Sequence, residues 1–385
     1  MDFSLSDQQI LIRDTVREFM HTEVRPHVKE WERTDHFPVD AIRKLGDLGC
    51  CGMLIPENWG GSGLDAISYV LMLEEVARVH TAMSTALSVT NSAVQIPFLS
   101  FASDTQKSRY LRRLASGEIL GAFCLTEPAA GSDAAGIQAS AVRDCAQYKL
   151  NGTKTWVTNG SAAGVYIVFA KTNPAAAGKG ITAFLVEPSM PGFKIGRHED
   201  KMGQRSSPSV EIVLNDCIVP CENRLGEEGQ GLKIALSALD NGRIGIAAQA
   251  VGLAQAALDE SVKYARARKA FGKSIGEFQA IQWMLADMHT EIEAARALLY
   301  NAAYLKDSSG SSSLAKGGSS SSRAKLYASE MANRVVYKAV QIHGSLGYSR
   351  ESDVERMYRD ARVLTVYEGT SEIQRTIIAR DLLRA

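Results

Sequence analysis

The hydrophobic period of this chain changes twice along its length. Toward the C-terminus, Ile281, Leu285, Met288, Ile292, Ala295 and Leu299 fall at alternating steps of four and three. That spacing puts them on one stripe of an α-helix, as a helix in a bundle requires. In the middle, SVEIVLNDCIVP sets Val210, Ile212 and Leu214 on alternate positions, the period of a half-buried strand. Near the N-terminus, QILIRDTVREFM returns to helical spacing. There Ile12, Val16, Phe19 and Met20 share a face behind a Ser6–Gln9 capping box. At 385 residues the chain is long for one core, so more than one domain is expected.

The expected class is α+β: an N-terminal α-helical domain over 1–120, a middle antiparallel β domain over 121–230, and a C-terminal four-helix-bundle domain over 231–385. ISYVLMLEEVARV and TQKSRYLRRLASG extend the helical texture of the first part, with the Gly-dense loop PENWGGSG between them. In the second, YKLNGTKTWV carries Asn151-Gly152 between alternating arms, a hairpin signal. ITAFLVEP reads as a further strand. In the third, RIGIAAQAVGLAQAAL is rich enough in Ala and Gly for close helix packing. Residues 308–322, SSGSSSLAKGGSSSS, read as a solvent-exposed linker without chemistry.

Composition narrows the function. Lys plus Arg equals Asp plus Glu at 43 each, so no overall field favours nucleic acid. The six cysteines form no C-x-x-C pair and stand near no histidine set, so neither a zinc site nor a disulfide scaffold is expected. The segment MDFSLSDQQ resembles no secretory signal or Arg-rich transit peptide, and no apolar run suits a membrane span. A bacterial cytoplasmic protein is expected, or a processed mitochondrial-matrix one. No G-x-G-x-x-G follows a strand, and neither a Walker A nor an H-E-x-x-H motif is present.

The stretch TVYEGTSEIQR poses the functional question. Ser371 and Gln374 have capping-box spacing, and Ile373, Ile377, Ile378 and Leu382 would line a short amphipathic helix. Glu368 just before it suits the helix dipole. On these residues alone, a helix start explains the glutamate.

Other short motifs change that reading. AFCLTEPAAGSD at 122–133, WVTNG at 156–160, DNGR at 240–243, RKAFGKSIGEFQ at 268–279, QIHGSLGY at 341–348 and YEGTSE at 367–372 occur in one order. Together with the α–β–α layout, they closely resemble the acyl-CoA dehydrogenase family over nearly the whole chain, with the short-chain, butyryl-CoA type nearest.

The resemblance implies an FAD enzyme that converts a short- to medium-chain acyl-CoA to the trans-2-enoyl-CoA. Glu368 would take the α proton while hydride leaves the β carbon for flavin N5. A Glu368 backbone N–H and a flavin ribityl hydroxyl would polarise the thioester carbonyl. Phe123, Cys124, Leu125, Thr126, Gly131, Ser132, Trp156, Val157, Thr158, Thr370, Ser371 and Glu372 would contact FAD. Arg268, Gln279, Gln341, Gly344 and Ser345 would reach it across a subunit interface. Ser132, Asp240, Asn241, Arg243 and Gly369 would meet the substrate.

Gly242 fills the slot from which some branches supply the base, and glycine cannot act as one. Ser345 departs from a family Gly-Gly pair, and its Cβ disfavours positive φ. A homotetramer and an electron-transferring flavoprotein as electron acceptor would follow from the family habit. The alternatives are a branched-chain or carrier-protein-bound acyl thioester as substrate, or a non-catalytic relative on the same scaffold. A flavin monooxygenase is disfavoured by the presence of Glu368.

Overall fold

The computed structural model describes residues 4–309 and 319–384. Its first part is helical: α1 (Asp7–Phe19), α2 (Val28–Thr34), α3 (Val39–Asp47), α4 (Ala66–Val79), α5 (Thr81–Ser88), α6 (Gln95–Phe101) and α7 (Asp104–Ala115). Side chains set these boundaries. Ser6 and Gln9 form the anticipated capping box of α1, Asp65 caps α4 at Ser68 N, and Ser103 with Gln106 boxes α7.

The second part is one sheet built from β1 (Leu120–Cys124), β2 (Ser140–Asp144), β3 (Gln147–Thr158), β4 (Ala163–Lys171), β5 (Ile181–Val186), β6 (Phe193–His198), β7 (Ser209–Pro220) and β8 (Arg224–Leu225). Its strand order is β6-β7-β3-β2-β4-β5-β8, with β1 also pairing to β4. Most pairs are antiparallel, but β1 runs parallel to β4. The sheet curls on itself: Tyr148 of β3 packs on Phe184 of β5, and Tyr166 of β4 on Phe193 of β6.

Asn151-Gly152 is not the hairpin turn. The β2–β3 turn lies at Cys145 and Ala146, with Cys145 at φ 53. Asn151 and Gly152 sit inside β3, where the register against β7 shifts. Gly152 takes φ 144, and a Cβ there would lie 2.7 Å from the Ala139 Cβ. Asn151 exchanges hydrogen bonds with Asp216, Nδ2 to Oδ1 at 2.9 Å and Asp216 N to Oδ1 at 2.8 Å. The dipeptide's conformational freedom serves a bulge.

The third part contains α8 (Gly231–Ala267), α9 (Gln279–Ser309), α10 (Ser320–His343), α11 (Asp353–Ala361) and α12 (Ser371–Leu382). Met288, Ile292, Ala295 and Leu299 of α9 are buried, as the stripe predicts. The small residues of α8 permit close approach: a Cβ on Gly252 would lie 2.2 Å from the Glu74 carbonyl oxygen of α4. One apolar core joins α1, α4, α8, α9, α10 and α11, so both helical parts share it. Two further clusters line the sheet, one of them against α6, α7 and the start of α8.

The serine-rich segment departs from the linker reading. Ser308 and Ser309 belong to α9, and Ser320–Ser322 open α10. Ser319 to Ser322 are buried. Ser319 donates to Asp381, and Ser321 Oγ donates to Asp240 Oδ1 at 2.7 Å. Small hydroxyl side chains fit a close helix contact that composition cannot reveal. Residues 310–318 lie outside the described residues.

Candidate active site

Between α11 and α12 the backbone turns left-handed twice, at Glu368 (φ 53) and Gly369 (φ 88). Such a φ is strained for a non-glycine residue, so the surroundings must hold it. Gln374 is buried and donates through Nε2 to the Glu368 and Gly369 carbonyl oxygens at 3.0 and 2.9 Å. Lys325 Nζ donates to the Gly369 oxygen at 2.8 Å. The Tyr367 hydroxyl donates to Gln249 Oε1 and accepts from Gln204 Nε2 at 3.3 Å.

The helix cap is one residue earlier than its expected place. Thr370, with extended ψ 164, caps α12 by accepting from Ile373 N at 3.4 Å. Ser371 is the first helical residue, and its buried Oγ has no partner among the described residues. Gln374 braces the turn instead of completing a box. Ile373, Ile377 and Ile378 are half-buried, whereas Leu382 is 70% exposed in the single chain.

The Glu368 carboxylate faces α8. A Cβ on Gly242 would lie 2.4 Å from Glu368 Oε2, so the carboxylate occupies room that only glycine leaves. Oε2 is buried without a hydrogen-bond partner among the described residues. Burial pushes the carboxyl up to about 7, with Arg243 and Lys325 pulling it back down. Tyr69, hydrogen-bonded to Ser88 at 3.3 Å, is pushed up to about 12, by burial first and with Glu368 among the charges acting on it. Gly245 lies next to the same Tyr69–Ser88 pair, where a Cβ would meet Ser88 Oγ at 2.3 Å.

Asp240, Asn241, Gly242 and Arg243 lie about three turns into α8. Arg243 is only 7% exposed, it meets Asp240 Oδ1 at 3.1 Å, and its Nε is unpartnered among the described residues. Burial lowers its pKa, opposed by Asp240 and Glu368. Asn241 Nδ2 donates to Ser237 O at 2.9 Å, a local helix contact.

The loop after β1 and the end of β3 are stapled together. Thr155 N donates to Thr126 O at 2.9 Å, and Lys154 Nζ reaches Leu125 O at 3.1 Å and Glu127 Oε1 at 2.7 Å. Glu127 also accepts from Gln138 N and Ala139 N, closing the loop at its far end. Trp156, at φ 58, is turned outward and 57% exposed, while Val157 is buried and Thr158 is half-exposed. Phe123 packs on Phe169, and the side chains of Cys124 and Leu125 point into the core. Burial holds the Cys124 thiol up at about 12, so only its backbone is available to a ligand. Gly131 and Ser132 are exposed. Asp133 precedes a short 3-10 turn and its side chain makes no capping bond. Glu372 is exposed.

Arg268, Gln279, Gln341, Gly344 and Ser345 are exposed, and no hydrogen bond or ion pair joins them to Glu368 or Trp156. Arg268 caps the far end of α8, about 39 Å along the helix from Gly242. The positive φ in the turn at 344 falls on Gly344 (φ 60), not on Ser345, so the serine replaces no strained glycine.

Sequence reading missed Lys325, Gln249, Asn159 and the Lys154–Glu127 pair. Asn159 (φ 64) is buried and donates to the Ala86 and Gly121 carbonyls, tying the sheet to α5. Lys325 carried a legible signal. It continues the apolar stripe Ala328, Ala332, Val335 and Ala339 of α10, where a charge is out of pattern.

Three family models match the chain: the acyl-CoA dehydrogenase N-terminal domain at 6–118, the middle domain at 122–217 and the C-terminal domain at 229–383. The chain belongs to the acyl-CoA dehydrogenase family. It is 42% identical over 384 residues to a short-chain specific acyl-CoA dehydrogenase of Clostridium acetobutylicum, covering 100% of both chains. It is 43% identical over 386 residues to an acryloyl-CoA reductase (NADH) of Anaerotignum propionicum, covering 100% of this chain and 96% of the relative. The solved butyryl-CoA dehydrogenase of Megasphaera elsdenii superposes with a TM-score of 0.96 at 44% identity, covering 100% of both chains.

The chain is thus an FAD-dependent oxidoreductase. Its own residues fit that cofactor. The outward Trp156 ring offers a stacking face, and the buried, unpartnered Ser371 and Thr155 hydroxyls offer polar contacts. No helix among the described residues is long and apolar enough to cross a membrane.

Proposed function

We propose that this enzyme dehydrogenates a short- to medium-chain acyl-CoA at its α and β carbons, with Glu368 as the base. The observation that carries this reading is the desolvated Glu368 carboxylate, seated in the space left by Gly242 with no hydrogen-bond partner on Oε2 among the described residues. A base for a weakly acidic α proton works best when its pKa lies near the working pH, and burial brings Glu368 to about 7. Among the described residues the Glu368 N–H has no acceptor, so it is available to a thioester oxygen as negative charge develops there. Gly369 beside it would meet the substrate through its backbone, since the space a Cβ would take there faces Gln374 Nε2 at 2.6 Å. Arg243, Asp240 and Asn241 would meet the CoA portion, and Ser132 would also meet the substrate.

Phe123 to Thr126, Gly131, Ser132, Trp156 to Thr158 and Thr370 to Glu372 would hold FAD. When bound, FAD supplies the two-electron acceptor for the hydride that leaves the β carbon. Arg268, Gln279, Gln341, Gly344 and Ser345 would serve the site of a second copy; Arg268 lies about 39 Å along α8 from Gly242, the residue against which its own Glu368 is seated. A homotetramer, an electron-transferring flavoprotein as acceptor, a role in fatty acid β-oxidation and a bacterial cytoplasmic setting complete the proposal.

One observation also favours the reverse direction. A carboxyl near 7 is populated in both forms at neutral pH, and protonated Glu368 could return a proton to the α carbon of an enoyl thioester. The similarity to an acryloyl-CoA reductase fits that use.

Anaerobic titration of the yellow protein with butyryl-CoA, octanoyl-CoA and isovaleryl-CoA tests the substrate. Bleaching of the flavin band is expected with butyryl-CoA at the lowest concentration. A flavin that no acyl-CoA bleaches would refute the CoA reading and favour a carrier-bound substrate. A colourless protein that FAD cannot restore would favour a non-catalytic role.

A further inference from the structure

The lysine on the apolar stripe of α10 has no part in the chemistry above. Lys325 is 0% exposed, like Ala328 and Ala332 on the same face. Burying an ammonium is costly unless its charge is matched. Among the described residues its hydrogen bond is to the Gly369 carbonyl oxygen, and it has no carboxylate within ion-pair distance.

We propose that Lys325 is a positioning residue for the base: its ammonium clamps the left-handed Glu368–Gly369 turn through the Gly369 carbonyl, and its charge keeps the desolvated Glu368 carboxyl ionised. This rests on Glu368 being the base.

A clamp alone would not need a cation. Gln374 already donates a neutral hydrogen bond to the same oxygen. What Lys325 adds is positive charge. The groups facing Glu368 come from several elements: Arg243 on α8, Lys325 on α10, Tyr69 on α4 and the adjoining Tyr367. Both tyrosines are pushed up by burial and stay neutral. Arg243 is already matched by Asp240 at 3.1 Å. Burial pushes the Lys325 pKa down to about 8, so it carries its charge below that pH; Glu368 is the leading charge opposing the shift, ahead of Glu330 and Glu372, and Arg243 adds to it. Arg243 acts more strongly on the Glu368 carboxyl, and Lys325 adds a second cation that no carboxylate pairs with among the described residues.

The test is the pH profile of flavin reduction by butyryl-CoA in FAD-loaded wild type, Lys325→Met, Lys325→Gln and Lys325→Arg, with Glu368→Gln alongside. Melting temperature and FAD content are recorded for each. Losing the cation should move the acidic limb upward by about one pH unit in both neutral variants, within the range expected for a nearby opposite charge. Lys325→Arg should return the limb toward wild type. If Lys325→Met does not fold, Lys325→Gln, which keeps a donor, carries the same test. A slower rate with an unmoved limb would refute the charge role, provided Glu368→Gln has lost reduction. Normal reduction in Glu368→Gln would instead refute the base, and this proposal with it.

Discussion

Glu368 and Gly242 form one device at the scale of single residues. The carboxylate stands where a side chain on α8 would otherwise be, and that absence admits it to a buried position where Oε2 has no hydrogen-bond partner among the described residues. Gly242→Ala should push the carboxylate aside. A misplacement of even an ångström at a reacting group costs on the order of 10²-fold in rate. Flavin reduction should therefore slow about that much with FAD content unchanged, and an unaltered rate would show that the slot is not tight. The proposed base was legible only through its motif, since a capped helix start explained the local residues equally well. Its surroundings were not legible. Lys325 and Gln249 lie far from it in sequence, and the pKa of a carboxyl depends on what folding packs around it.

Among the elements, the loop that would meet FAD is set by a buried ion pair. Glu127 is held by Lys154 Nζ and by the backbone N–H groups of residues 138 and 139, so the loop from Thr126 to Gln138 closes around one carboxylate. Removing the cation leaves that carboxylate buried without its charge partner. Lys154→Met should cost about 3–5 kcal/mol in stability, read by urea unfolding, and should lower FAD content. A variant with full stability would show that the backbone donors suffice. Helices with a regular stripe, such as α1 and α9, could be read directly, because burial of one face alone dictates their spacing. Asn151-Gly152 misled because positive-φ capacity serves bulges as well as turns, and the choice depends on the pairing of β3 with the distant β7. The buried serines of α10 were hidden for a related reason: composition reports polarity, while fit against α8 depends on size.

For the whole molecule, the surroundings of Glu368 come from distant parts of the chain, with Tyr69 from the N-terminal helices, Arg243 from α8 and Lys325 from α10. The described chain also exposes large apolar side chains on its helical third part, among them Phe271 at 96% beside Arg268, and Leu382 on α12. In the proposed assembly a second copy would cover such side chains. Arg268→Ala should lower FAD retention while Glu368 and its neighbours keep their places. Unchanged FAD content and unchanged assembly by size-exclusion chromatography with light scattering would rule out the cross-subunit contact.

The most direct measurement is the rate of anaerobic flavin reduction after rapid mixing with butyryl-CoA, for wild type and Glu368→Gln, across pH. Wild type should reduce promptly at neutral pH and slow as pH falls below about 7, because the carboxyl must be ionised to accept a proton. Glu368→Gln should keep its FAD, bind the acyl-CoA and reduce more slowly by on the order of 10²–10⁴-fold at every pH. Near-wild-type reduction in that variant would contradict Glu368 as the base.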